Sequence, residues 1–148
     1  MKNNLGKEYM LIKCPHCQKF NRLPLDKLND GPICGSCKSS LLLSPIDADE
    51  ASFHEMLNSS RLPIITDFWA PWCGPCKMFT PTFQLSAAKF GEKILHVKVD
   101  TEANSSIAQQ YNIRSIPTLA IFKNTAEIER ISGALPPAQL TELISRFI

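Results

Sequence analysis

Six cysteines arranged in three pairs constrain this chain more than any other feature. Cys14/Cys17, Cys34/Cys37 and Cys73/Cys76 each read Cys-x-x-Cys, and no cysteine stands outside them. Two of the pairs lie within the first forty residues. A segment that short buries too little apolar surface to offset its chain entropy without a metal, a disulfide or a partner. The 148 residues therefore suit one domain of about 100 residues with a small appendage. Small polar residues and Ser44-Pro45 interrupt the chain after Leu41-Leu42-Leu43, which divides it into a module of residues 1–40 and a domain of residues 41–148.

Cys14-Pro15-His16-Cys17 and Cys34-Gly35-Ser36-Cys37 are separated by sixteen residues. This is the spacing of a zinc ribbon, in which each knuckle places two thiolates on one ion and backbone N–H groups bond the sulfurs. Gly35 is expected to ease its turn, and His16 is read as a surface histidine. Four thiolates close a tetrahedron and leave no position for water, so the expected zinc is structural, one per chain. Iron on the same sulfurs, or redox-active pairs, remain alternatives. Structural zinc contributes on the order of 10 to 16 kcal/mol in zinc-finger peptides, enough to fold forty residues without a core of their own.

Charge and composition exclude several classes. The first forty residues carry seven Lys/Arg against three Asp/Glu, but four zinc-bound thiolates would cancel part of that excess, so no nucleic-acid partner is expected. Hydrophobic content of 44% and charged content of 20% suit a soluble globular protein with no membrane segment. The N-terminus lacks the apolar run and cleavage site of a secretory signal, which points to the cytoplasm. There, structural disulfides are rare and paired cysteines read as metal ligands or redox centres.

Beyond residue 40, strands and helices alternate. Asp47 or Asp49 can cap a helix to about residue 58, with Phe53, Met56 and Leu57 at helical spacing. Residues 64–69 read as a buried strand, and a helix kinked at Pro81 runs to about residue 90. Residues 94–100 read as a strand and 103–111 as a helix. Two strands at 118–123 and 127–131 meet at Asn124-Thr125, and Pro136-Pro137 opens a last helix striped by Leu140, Ile144 and Phe147. The order predicts an α/β architecture, a mixed central sheet flanked by helices.

The third cysteine pair stands where the strand 64–69 runs into the long helix, in the segment DFWAPWCGPCK. Unpaired N–H groups and the helix dipole there favour a Cys73 thiolate, the expected nucleophile. Cys76, one turn later and facing inward, is the expected resolving thiol: Cys73 attacks a substrate disulfide and Cys76 then breaks the mixed disulfide. A third metal knuckle, or a pair kept for packing, is the alternative. Asp67 lies within an apolar run, where burial would push its carboxyl toward neutrality and suit it to accept the proton of Cys76. The plainer alternative is an aspartate on an exposed strand face.

These residues carry a resemblance. WCGPCK preceded by DFWAP, Pro81 five residues after Cys76, Ile113-Arg114-Ser115-Ile116-Pro117-Thr118 and Ser132-Gly133-Ala134 are similar to the thioredoxin family over about residues 45–148, and the cysteine module ahead resembles its zinc-containing bacterial members. The resemblance implies the thioredoxin fold with a small N-terminal four-cysteine module, zinc-ribbon-like. It implies a cis Pro117 facing the thiols, Ile116 offering backbone groups to an extended substrate, and Trp72 and Gly133 lining the substrate groove. It also implies disulfide-containing client proteins as substrates and an NADPH-dependent thioredoxin reductase as the reductant. His96 stands where many family members have a lysine near the buried aspartate; an ordinary solvated histidine is the preferred reading over a proton relay.

The function expected is therefore a protein disulfide reductase acting through the Cys73-Gly74-Pro75-Cys76 dithiol. No nicotinamide or flavin motif is present, so no organic cofactor is expected. A client-binding module on a thioredoxin scaffold, or a holdase released when oxidation of the four N-terminal cysteines expels zinc, are the competing readings.

Overall fold

The computed structural model describes residues 8–148. The first seven residues, part of the 1–40 module and of the stretch read for a secretory signal, lie outside the described residues. At the N-terminal end, β1 (Tyr9–Lys13) and β2 (Phe20–Pro24) form an antiparallel ribbon with Leu11 opposite Arg22 and Lys13 opposite Phe20. A single 3-10 turn follows over Leu25–Lys27.

Each N-terminal cysteine pair folds into the same hydrogen-bonded knuckle. Gln18 N–H donates to Cys14 O at 3.1 Å and Cys14 N–H to Lys19 O at 2.9 Å; Lys38 N–H donates to Cys34 O at 3.0 Å and Cys34 N–H to Ser39 O at 2.8 Å. The tight point is the residue after the second cysteine. Gln18 and Lys38 lie there at φ 70° and 67°, in the left-handed region. Gly35, expected to ease the turn, has no positive φ; its N–H instead donates to Asn21 Oδ1 at 2.9 Å, joining the second knuckle to β2.

The rest of the chain runs β3 (Ile46–Asp47), α1 (Glu50–Ser59), β4 (Ile64–Trp69), α2 (Gly74–Phe90), β5 (Leu95–Asp100), α3 (Ser105–Gln110), β6 (Thr118–Lys123), β7 (Ala126–Ser132) and α4 (Pro137–Ser145). The strands form one five-stranded sheet in the order β3-β5-β4-β6-β7, in which β3, β5 and β4 pair parallel, β6 pairs antiparallel with β4, and β7 antiparallel with β6. This is the thioredoxin fold expected from the order of elements.

Local chemistry explains several boundaries. Of the two candidate caps, Asp49 starts α1: its Oδ1 accepts from Ser52 N–H at 2.8 Å while Ser52 Oγ accepts from Asp49 N–H at 3.0 Å. Asp47 belongs instead to β3, too short a strand to announce itself by periodicity. α2 continues through Pro81 to Phe90, although the proline removes the N–H due to the Lys77 carbonyl. At its end, a Cβ on Gly91 would overlap the Leu42 carbonyl oxygen, so only glycine lets the segment after the second knuckle pass this closely.

The sheet is packed on both faces. On one, Phe53, Met56 and Leu57 of α1 meet Ile64, Phe68, Val97, Val99 and Phe122. The Phe53 ring meets Phe122, Tyr111 and Phe68 edge-on at centroid distances of 5.6, 6.0 and 6.1 Å. On the other face, Phe79 and Phe83 of α2 and Leu140, Leu143 and Ile144 of α4 cover Ile65, Leu119 and Ile121. The ribbon joins the first of these cores. Met10, Ile12 and Leu23 are buried in one continuous cluster with Phe53, Met56 and Leu57, and Leu11 N–H donates to Glu55 Oε2 of α1 at 3.1 Å. The expectation of a module with no core of its own is thus refined: it shares a core with α1. Leucines and isoleucines spread thinly over forty residues give no hint of a face that another element completes.

Candidate active site and metal centre

β4 ends at Trp69, and after Ala70-Pro71-Trp72 the chain turns directly into α2. Cys73 is the N-cap of that helix at φ −85°, ψ 113°, and its Sγ accepts the Cys76 N–H at 3.2 Å. Pro75 in the first turn has no N–H to lose there. Cys73 and Cys76 are joined as a disulfide with Cα atoms 5.3 Å apart. In the reduced pair, the same cap position would set a Cys73 thiolate against unpaired N–H groups at the positive end of the helix. Cys73 is 4% exposed and Cys76 2%, and Trp69, Ala70 and Ile116 pack around the pair.

The residues expected to form the groove lie around this pair. Cys73 Sγ lies 3.8 Å from the Ile116 carbonyl oxygen, and the Ile116-Pro117 peptide bond is cis. Gly133 N–H donates to Pro117 O at 2.8 Å from a φ of +101°, which glycine adopts without steric cost. Trp72 is 66% exposed beside the disulfide. Its Nε1–H donates to Glu102 Oε2 at 2.8 Å, a partner that sequence reasoning missed because thirty residues separate the two.

Asp67 is fully buried, and neither carboxylate oxygen has a hydrogen-bond partner. Its exposed-face alternative is thereby removed. On the same side of β4, Ile65 packs with Phe79 and Phe83 while Trp69 packs with Cys73 and Cys76, so Asp67 lies between them beneath the first turns of α2. Desolvation pushes its carboxyl from an ordinary 3.8 up to about 7, against the opposing attraction of the Lys98 ammonium.

The lysine beside the buried aspartate is Lys98, paired directly with Asp67 across the parallel β4/β5 ladder. The sequence reading that put His96 in that place is corrected by two residues along β5. His96 pairs with Ile65, is 1% exposed, and is no solvated histidine. Its Nε2 lies 2.8 Å from Ser86 Oγ, its Nδ1 3.0 Å from Ile94 O, and its ring 4.9 Å from that of Phe83. Burial drives its pKa down to about 4, so it is neutral. Alternation could have found Lys98, since Lys98 and His96 share one face of β5; register with β4 was the missing information.

The four N-terminal cysteines meet at the tips of the two knuckles, with all Sγ atoms within 4.8 Å of one another. Cys14 and Cys37 sulfurs are 3.6 Å apart, as are those of Cys17 and Cys34. A zinc ion with Zn–S bonds of about 2.3 Å sets tetrahedral sulfurs about 3.8 Å apart, so the donor set fits. The outer partners fit as well. His16 and Cys17 N–H groups point at Cys14 Sγ at 3.4 and 3.5 Å; Ser36 and Cys37 N–H groups point at Cys34 Sγ at 3.3 and 3.4 Å. Cys34 also takes Asn21 Nδ2 at 3.5 Å. The Cys37 N–H first, then the Asn21 amide, hold the Cys34 thiol down near 5, toward the thiolate a metal requires. No other comparable group of ligands occurs among the described residues. Nor is any helix among them long and apolar enough to cross a membrane.

A sheet that delivers a dithiol to a helix N-terminus beside a cis-proline defines a thiol-disulfide oxidoreductase of the thioredoxin type. Two family models match the chain: one described as Thioredoxin, over residues 44–146, and one described as Thioredoxin 2, N-terminal, a zinc ribbon, over residues 13–39. The chain belongs to the thioredoxin family. It is 43% identical to Thioredoxin C-3 of Corynebacterium nephridii over 93% of this chain and 94% of that one. It is 40% identical to a thioredoxin of Porphyra purpurea over 72% of this chain and 99% of that one. Among solved structures, a mutant thioredoxin from Halobacterium salinarum superimposes with a TM-score of 0.65 at 27% identity, over 71% of this chain and 91% of that one.

Proposed function

We propose that this oxidoreductase is a protein disulfide reductase in which Cys73 is the nucleophile and Cys76 the resolving thiol of the CGPC dithiol. The observation that carries the reading is the position of Cys73, N-cap of α2 with Cys76 N–H aimed at its sulfur and the Ile116 carbonyl alongside. The Cys73 thiolate attacks one sulfur of a client disulfide; that S–S bond breaks, one client thiolate leaves and is protonated, and a mixed disulfide remains. Asp67 takes the proton of Cys76, whose thiolate then attacks Cys73 Sγ. The second client thiolate leaves, and Cys73–Cys76 closes as the disulfide. Trp72, Ile116, Pro117 and Gly133 form the groove that holds an extended client segment against Cys73.

Closing the cycle requires two electrons from outside the chain. Family membership supports an NADPH-dependent thioredoxin reductase as their source, and disulfide-bearing proteins as their destination. In the N-terminal module, Cys14, Cys17, Cys34 and Cys37 hold one structural zinc, which supplies a crosslink rather than reactivity. Residues 1–40 form that module and 41–148 the redox domain. Four thiolates kept for a metal suit a reducing compartment, which favours the cytoplasm.

Insulin reduction followed with NADPH and reductase tests the proposal. Wild-type turnover is expected, with none for Cys73→Ser and a trapped mixed disulfide for Cys76→Ser. Turnover surviving in Cys73→Ser would overturn the assignment.

A further inference from the structure

β7 is not a regular strand. Ile121 of β6 pairs with Glu129, but its neighbour Phe122 pairs with Glu127, so Ile128 is an extra residue in the ladder. Such a bulge shifts the alternation of side chains by one. Glu127 and Arg130, three residues apart, would face opposite sides of a regular strand. Here they stand opposite Phe122 and Ala120, which share one face of β6, and so they share that face as well. It is the face on which the Tyr111 ring meets Phe122, at 5.3 Å between centroids.

The two side chains form a two-pronged ion pair: Arg130 Nη2 donates to Glu127 Oε1 at 2.9 Å, and Nε to Oε2. The guanidinium plane carries five N–H groups, and further ones reach the main chain. Nη2 donates to Tyr111 O, and Nη1 to Asn112 O at 3.3 Å. Those two carbonyls stand just past the end of α3. The helix closes with Asn112 in left-handed backbone, at φ 55°; Ile113 N–H returns to Ala108 O at 2.9 Å and Asn112 N–H to Gln109 O at 3.2 Å. The closure uses the N–H groups of Asn112 and Ile113 and leaves the Tyr111 and Asn112 carbonyls to Arg130.

Ile113, Arg114 and Ser115 then lead to Ile116, whose carbonyl oxygen lies 3.8 Å from Cys73 Sγ. The far end of this loop is tied to the same strand, since Thr118 pairs with Ser132 and Gly133 N–H donates to Pro117 O at 2.8 Å.

We propose that Arg130, turned by the β7 bulge and oriented by Glu127, is a positioning residue for the client groove: it anchors the entry of the 113–117 loop to the strand that also holds its exit, and so fixes the Ile116 backbone beside Cys73. A loop anchored less firmly has to be ordered by each client as it binds, and that cost appears in client affinity. The role rests on the groove assigned above.

Chemically reduced, zinc-loaded protein is mixed in single turnover with insulin, which needs the groove, and with dithiobis(nitrobenzoate), a small disulfide that needs only the Cys73 thiolate. Arg130→Met keeps the apolar stem and removes every donor. Its second-order rate constant for insulin is expected to fall about three- to fivefold, the scale of one net hydrogen bond, with the limiting rate at saturating insulin and the rate for the small disulfide unchanged. Arg130→Lys, which keeps the charge without the fork, recovers part of the loss. An unchanged insulin rate constant in Arg130→Met overturns the role of Arg130. Equal slowing with both disulfides overturns it as well, because that pattern belongs to the dithiol and not to the groove. Wild-type protein that reduces the small disulfide but not insulin would remove the groove assignment itself, and the role of Arg130 with it.

Discussion

Asp67 and Lys98 face each other across the β4/β5 ladder, yet neither Asp67 oxygen has a hydrogen-bond partner, so the two interact through charge alone. Desolvation outweighs the lysine, and the carboxyl titrates near neutrality rather than near 4. Below about pH 3.8 the group is protonated whether the chain is folded or not. Between 3.8 and about 7 the folded state holds the extra proton, so stability falls as pH rises through that window.

Asp67→Asn is therefore expected to stabilise the protein at pH 8, by up to about 4 kcal/mol, and to do so progressively less toward pH 4. Release of client from the mixed disulfide should slow near neutral pH in the same variant, while the initial attack keeps its rate. Denaturant titrations at the two pH values, with single-turnover kinetics, check both; equal stabilisation at pH 4 and 8 would remove the buried carboxylate as the cause.

His96 works in the opposite sense. Held neutral by burial with a pKa near 4, against an ordinary 6.5, it leaves the unfolded chain binding the extra proton between those values. Stability should drop as pH falls from 6.5 to 4, by up to about 3 kcal/mol from this group. Replacing it with Gln, which can still bond Ser86, is expected to flatten that slope. A wild-type slope in His96→Gln would mean that other groups control acid unfolding.

The metal module offers a test of how much the shared core contributes. Cys34→Ser removes one of the four sulfurs, together with the acceptor of the Ser36 and Cys37 N–H groups and of the Asn21 amide. Loss of stoichiometric zinc and a fall in Tm of roughly 10 °C are expected, as Met10 and Ile12 leave α1. Metal analysis with thermal unfolding decides: zinc lost at unchanged Tm would show that the ribbon holds to α1 without its crosslink.

At the β6/β7 turn, Asn124 and Thr125 both adopt left-handed backbone, at φ 52° and 69°. A β-branched threonine is strained there, and glycine is the residue such a turn prefers. Thr125→Gly should raise stability by about 1 kcal/mol with insulin reduction unaltered, read from the shift in denaturant midpoint.

Much was legible in the linear chain because it depends on near neighbours. Spacing alone paired the cysteines, and strand 64–69 running into a helix announced the redox site. Asp67 stood out because a carboxylate in an apolar run is costly wherever that run goes. The alternation of elements was enough for the sheet-and-helix order, within a residue or two at most ends. What depended on register was not legible. His96 and Lys98 share a face of β5, and only the alignment of β5 with β4 decides which of them meets Asp67. The same holds for Trp72 with Glu102, and for Met10 and Ile12 against α1. Periodicity says which way a side chain points, but not which distant element arrives to meet it. That is decided when apolar faces close into a common core, since contacts far apart in sequence are chosen together by packing.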